Sequence, residues 1–155
     1  MSGNITGERK SARDFFSKQE EQQLRQAIMS AELDTSGEIR VHIENKCPGD
    51  VMDRAAFIFK KLNLQETKLR NGVLIYLAVK NRKFAIIGDK GINQVVPENF
   101  WDNAKLTMLN HFRNGDFTKG LSEAITLAGK QLRKHFPHQK DDVNELSDDI
   151  SFGKN

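Results

Sequence analysis

The sequence predicts an α/β fold: a small mixed β-sheet, built from a βαβ unit plus an antiparallel hairpin strand, sandwiched between about four α-helices. Three observations carry this reading. The stretch from Asn71 to Gly91, NGVLIYLAVKNRKFAIIGDKG, sets two apolar runs on either side of a short polar turn, the pattern of a β-hairpin. Upstream, Ile39, Val41 and Ile43 alternate with Arg40, His42 and Glu44, the period of a strand. Between the two lies a helical stripe, Val51, Ala55, Ile58 and Leu62, which supplies the right-handed crossover that parallel strands require.

Taken in order, residues 1–13 are polar with two glycines and read as a disordered arm, order beginning near Phe15. Ser17 followed by Glu20 is a capping box, after which Leu24, Ala27, Ile28 and Ala31 recur at helical spacing as far as about Leu33. The strand from Glu38 to Glu44 has one polar face, which places it nearer a sheet edge than the all-apolar run from Val73 to Val79. Asp50 is positioned to cap the crossover helix. A two-residue turn at Lys80 and Asn81 sets Val79 opposite Arg82, Ile75 opposite Ile86 and Val73 opposite Gly88, with Asn71 beside Lys90. Pro97 suits the first position of a helix that carries Trp101, Ala104, Met108 and Phe112 and stops at Asn114 and Gly115. Asp116 then caps a helix whose Phe117, Leu121, Ala124, Ile125, Ala128 and Leu132 share one face, until Pro137 ends it. The α/β domain therefore occupies residues 14–137. Residues 138–155 form an acidic tail with too few apolar residues for an element of its own, although Val143, Leu146, Ile150 and Phe152 are available to pin it to a groove.

The 155 residues bound one domain large enough to fold without staples. Charged residues make up 29% and the longest apolar run is about eight residues, short of the ~20 that cross a bilayer. The opening MSGNITGERKSAR has no apolar core of a signal peptide, so a cytoplasmic chain without a membrane anchor is expected. Cys47 is the only cysteine, which excludes an intrachain disulfide and a Cys-rich metal site. The net charge of +3 divides into −3 on the stretch from Pro137 onward and +6 on the rest. The bases are dispersed and do not form the clustered face that nucleic acids need, so no nucleic-acid partner is expected.

Topology selects one end of the sheet as a candidate site. The starts of the two parallel strands and the end of the hairpin's second strand share an edge, which gathers Ser36, Glu38, Asn71 and Asp89, flanked by Arg70, Lys90 and Gly91. Two carboxylates and an amide suit an oxygen-coordinated Ca²⁺ or Mg²⁺, and the bases suit a phosphate. A plain turn at Gly88 to Gly91 explains the same residues. The opposite end holds Glu44, Asn45, Lys46, Cys47 and Asp50. Cys47 precedes a helix start, where a thiolate is favoured, but no histidine is placed beside it by sequence. His135 and His138 straddle Pro137, which breaks the helix that would pair them. No phosphate loop, dinucleotide fingerprint, nucleophile elbow or zinc motif is present.

The order TSGEIRVHI, DRAAFIFKKLNL, RNGVLIYLAVKNRKFAIIGDKGI, VPENFW and FRNGDFTKGLSEAI resembles the TPM domain, shared by thylakoid-lumen phosphatase-like proteins and their bacterial relatives, over about Phe15 to Phe136. The resemblance implies helices on both sides of the sheet, acid-phosphatase activity and divalent cation binding. By it Glu38 matches the family's glutamate of the first strand and Gly88 to Gly91 its glycine turn, and Glu98 is the nearest carboxylate where a Leu-x-Asp segment often follows that turn. Arg70 stands where the family often has Asp. The expectation is a phosphatase-like or small-ligand and divalent-cation-binding domain: Glu38, Asp89 and Glu98 hold the cation, Ser36 and Asn71 orient a small phosphorylated ligand, and Arg70 and Lys90 offset its charge. The alternatives are a non-enzymatic module that docks a protein partner through the pocket face and the acidic tail, and a thiol-dependent enzyme built on Cys47.

Overall fold

A computed structural model describes residues 11–138 and 149–153. The elements are α1 (Ala12–Phe15), α2 (Lys18–Glu32), β1 (Glu38–Glu44), α3 (Val51–Lys61), a 3-10 turn (Leu64–Glu66), β2 (Gly72–Ala78), β3 (Lys83–Gly88), α4 (Lys90–Asn93), α5 (Phe100–Arg113), α6 (Phe117–His135) and β4 (Asp149–Phe152). The sheet order is β3-β2-β1-β4, with β1 parallel to both neighbours and β3 antiparallel to β2. Alternation along the strands sorts the core into two layers. Ile39, Val41, Ile43, Val73, Ile75 and Leu77 face α2, α5 and α6, while Leu74, Tyr76 and Ala78 face α3. Among the described residues no helix is long and apolar enough to cross a membrane.

Local chemistry explains most boundaries. Ser17 and Glu20 form the reciprocal capping box that opens α2, and the Asp50 carboxylate accepts from the amides of Met52 and Asp53 to open α3. Gly115, at φ 79°, reverses the chain between α5 and α6. Asp116 occupies the N-cap of α6 but makes no side-chain cap bond there. The hairpin register is the expected one, Val73 facing Gly88 and Ile75 facing Ile86. The turn, however, is longer than two residues. The ladder closes at Ala78 and Lys83, because the Val79 and Lys80 amides bond the carbonyls of Glu44 and Asn45 instead.

Four expectations are corrected. The strand β1 is interior, not near an edge, because Ile150 to Phe152 of the tail pair alongside it as part of β4. The tail thus has an element of its own, with Ile150 buried; Val143 and Leu146 lie outside the described residues. The helix after Pro97 begins at Phe100, and Pro97 instead opens a turn whose carbonyl accepts the Phe100 amide. Order begins before Phe15, since Ala12 is buried and its amide donates to Asn45 Oδ1 at 2.6 Å. Residues 1–10, the rest of the expected arm, lie outside the described residues.

Close packing at the start of β2 depends on Gly91. A Cβ there would stand 2.1 Å from the Leu69 carbonyl oxygen and 2.6 Å from that of Arg70, and backbone cannot yield as a side chain would. Gly91→Ala is therefore expected to cost about 1–3 kcal/mol, read as a drop of several degrees in the thermal midpoint.

Candidate functional site

The expected neighbourhood at the start of β1 and β2 is assembled by the parallel register, in which Glu38 sits beside Gly72. Asn71, 1% exposed, donates from Nδ2 to Ser36 Oγ at 3.2 Å. Its Oδ1 is buried and has no hydrogen-bond partner among the described residues. A buried carbonyl without a donor is unusual and points to a missing partner. Glu38 is 3% exposed. Beside these residues opens a cleft of about 490 Å³ between the end of α2 and the start of β1, with Glu32, Asp34, Ser36 and Glu38 on its polar side. Met29 and Leu33, both more than half exposed, form its apolar rim. His138 closes it, its amide bonded to the Asp34 carbonyl.

Of the remaining predicted residues, Arg70, Asp89 and Lys90 form a second group. Arg70 grips Asp89 with two parallel bonds of 2.7 and 3.0 Å, and Asp89 Oδ1 also accepts the Lys90 amide. The Lys90 side chain is exposed at the start of α4, and Glu98 is exposed in the turn before α5. Among the described residues no three His, Cys, Asp or Glu are arranged to hold a metal ion. With Asp89 committed to a guanidinium and Glu98 in a separate turn, those two do not fit a cation set with Glu38 in this arrangement. Glu38, Asn71 Oδ1 and Ser36 Oγ do fit one in chemistry, since hard cations take neutral and charged oxygens together.

At the far end of β1 the alternation EIRVHIE puts Arg40, His42 and Glu44 on the α3 face, where the sheet buries them. Glu44 has no exposed surface. Arg54 of α3 forks onto it with two bonds of 2.8 Å, and the Tyr76 hydroxyl donates to it. Burial pushes the Glu44 carboxyl up, but these bonds outweigh burial and leave it below its ordinary value. Burial and the same bond hold the Tyr76 phenol far above its own. His42 Nδ1 pairs with Ser151 Oγ of β4 at 2.7 Å, while Nε2 lies 3.6 Å from Glu44. Burial lowers the His42 pKa against the pull of Glu44. Cys47 is buried, its thiol directed at the Gly49 carbonyl at 3.7 Å. Sequence reasoning named Glu44 and His42 singly but missed the network. The signal available was the register, which sets His42 beside Tyr76.

The fold and these sites define the class: the chain belongs to the TPM domain family, whose profile matches residues 10–131. Its structure is similar to that of the BA42 protein from the psychrophilic bacterium Bizionia argentinensis, at 48% identity and a TM-score of 0.82, over 90% of this chain and 96% of that one. The N-terminal domain of a protein from P. gingivalis shares 19% identity at a TM-score of 0.66, covering 80% of this chain and 82% of that one. The N-terminal domain of cg2496 from Corynebacterium glutamicum shares 12% at 0.60, covering 87% and 79%. The latter two likenesses concern the fold alone. Among curated proteins none matches.

Two outcomes follow from the Glu44 network. Arg54→Met leaves a buried carboxylate without its counter-ion and is expected to cost about 3–5 kcal/mol in urea unfolding, against about 1.5–3 for Tyr76→Phe, which removes one bond to a charged group. Acid should destabilise the fold in two stages. Below the ordinary imidazole value of 6.5 the unfolded chain takes a proton that folded His42 refuses; below 4.5 the same holds for Glu44. Urea midpoints measured across this range should fall with pH, and His42→Gln should remove the first stage.

Proposed function

We propose that this TPM domain is a cation-binding module whose site is the cleft where β1 and β2 begin. The observation that carries the reading is the buried Asn71 Oδ1 without a donor; the Nδ2 of the same amide donates to Ser36, which lines the cleft together with Glu38. A cation satisfies the orphaned oxygen, and Glu38 supplies the charge. All these donors are oxygens, which favours Ca²⁺ or Mg²⁺ over softer metals. When bound, such an ion would polarise a phosphoryl oxygen, and this is the basis on which a phosphatase-like activity is proposed. Arg70 and Lys90 on the same edge would face the phosphate, although Arg70 first has to share its guanidinium with Asp89. The second reading, a module docking a protein partner, is favoured by Met29 and Leu33, which leave the cleft rim apolar and exposed.

The test is a calorimetric titration of Ca²⁺ and of Mg²⁺ into the chelator-stripped full chain. Saturable binding with a dissociation constant on the order of 10⁻⁴–10⁻³ M is expected, as for sites with few charged ligands. Glu38→Gln and Asn71→Leu should each weaken it about tenfold or more, while Asp89→Asn leaves it nearly unchanged. Loss on Asp89→Asn alone would move the site to the Arg70 pair. No binding to wild type would put the protein-docking reading first.

A further inference from the structure

Ser151 differs from its neighbours in β4. Ile150 and Phe152 pack into the layer of α2, α5 and α6, so alternation puts Ser151 on the opposite face, beside His42 of β1. Under α3 that face is apolar, with Leu74, Tyr76, Ala78 and Ala85 of β2 and β3 against the helix. On β1 and β4 it continues as a polar stripe that holds His42, Glu44 and Ser151. The Ser151 Oγ is 2.7 Å from His42 Nδ1, against 3.5 Å from the Val41 carbonyl oxygen. The other ring nitrogen decides which group donates. His42 Nε2 is buried, has no hydrogen-bond partner among the described residues and lies 3.6 Å from Glu44 Oε1. A lone pair turned toward an ionised carboxylate is repelled, so the proton sits on Nε2 and Nδ1 accepts from the Ser151 hydroxyl. Burial holds the His42 pKa below 6.5 against the pull of Glu44, helped by Arg54 and Lys61 of α3, and the ring is a neutral base at pH 7. Arg54 and the Tyr76 hydroxyl keep Glu44 ionised and in place. Ser151 itself is half-buried.

We propose that Ser151 is a nucleophile for small carboxylic esters, with His42 as its general base and Glu44 as the positioning residue that stabilises the imidazolium. A hydroxyl within hydrogen-bond reach of a base that a third group orients is the arrangement of nucleophilic hydrolysis on whatever fold it occurs. Ser151 Oγ attacks the ester carbonyl carbon and its proton passes to His42 Nδ1. His42 returns that proton to the departing alkoxide as the ester C–O bond breaks, which leaves acyl-Ser151 and an alcohol. Water then attacks the acyl carbon and gives a proton to His42, and the carboxylic acid leaves as Ser151 regains its proton. Only a small acyl group reaches a half-buried hydroxyl.

The test is mass-spectrometric mapping of the full chain after exposure to an alkyl fluorophosphonate, with chelator present so that cation-dependent hydrolysis at the cleft is silent. The Oγ–P bond forms, P–F breaks, fluoride leaves and the proton goes to His42. Ser151 is expected to react at least about tenfold faster than Ser11 or Ser17, whose hydroxyls pair with Asp14 and with the Glu20 amide. In His42→Gln, checked for fold by circular dichroism, the reaction at Ser151 should slow by about 10²-fold or more, the share a general base contributes. With p-nitrophenyl acetate the wild type should release more than one equivalent of p-nitrophenolate per chain, at least about tenfold faster than Ser151→Ala. Reaction at Ser151 no faster than at Ser11 and Ser17 overturns the proposal whether or not His42→Gln folds. A wild-type rate in folded His42→Gln, release that stops at one equivalent, or undiminished turnover in Ser151→Ala overturns it as well.

Discussion

Glu44 is a carboxylate with no exposed surface, and much of the sheet is arranged to satisfy it. Left alone, such a charge would cost several kcal/mol. Here two elements answer it: Arg54 ties α3 to the sheet and Tyr76 ties β2 to β1; Gly153, just past β4, packs so close that a Cβ would come within 2.8 Å of Glu44 Oε1. The glycine is therefore required for the tail to close over the network. One buried ion pair thus specifies which helix covers this face and how the C-terminal strand ends.

That arrangement leaves the two ends of the sheet chemically unlike. Where β1 and β2 begin, the chain enters from α2 and the 3-10 turn with acidic and amide side chains, and the edge becomes an oxygen-lined cleft. Where the hairpin turns, Leu77 of β2, Arg82 of the turn, Phe84 of β3, Phe112 and Arg113 of α5 and Phe117 of α6 meet instead. The two ends differ in composition because each is built from different loops on the same strands. The family supplies the scaffold, shared at 48% identity with the BA42 protein; the chemistry has to be argued from the ends.

Much of the fold was legible. The capping box at Ser17 and Glu20, the β1–β2 parallel pairing and the hairpin register all emerged from local rules, since capping and strand alternation act over a few residues. The neighbourhood of Ser36, Glu38, Asn71 and Asp89 was legible too, because the order of parallel and antiparallel strands brings those ends to one edge. What each residue does there was not. Whether Asp89 is a ligand or the partner of Arg70 depends on a side-chain fork spanning 19 positions, and no sequence pattern records it.

The sequence by itself determined the three strands β1, β2 and β3 and the four long helices, their order and the apolar face each must bury, because those follow from periodicity and from the short-range chemistry of caps and turns. Only the tertiary structure decided that β1 is interior. The segment around Ile150 and Phe152 is too short and polar to signal a strand alone, and it becomes one because β1 offers an open row of backbone groups and a place for Ile150 beside the core. Burial of Arg40, His42 and Glu44 on a strand that reads as half solvated has the same origin: a helix and a strand distant in the chain cover it, and their own polar atoms complete its hydrogen bonds.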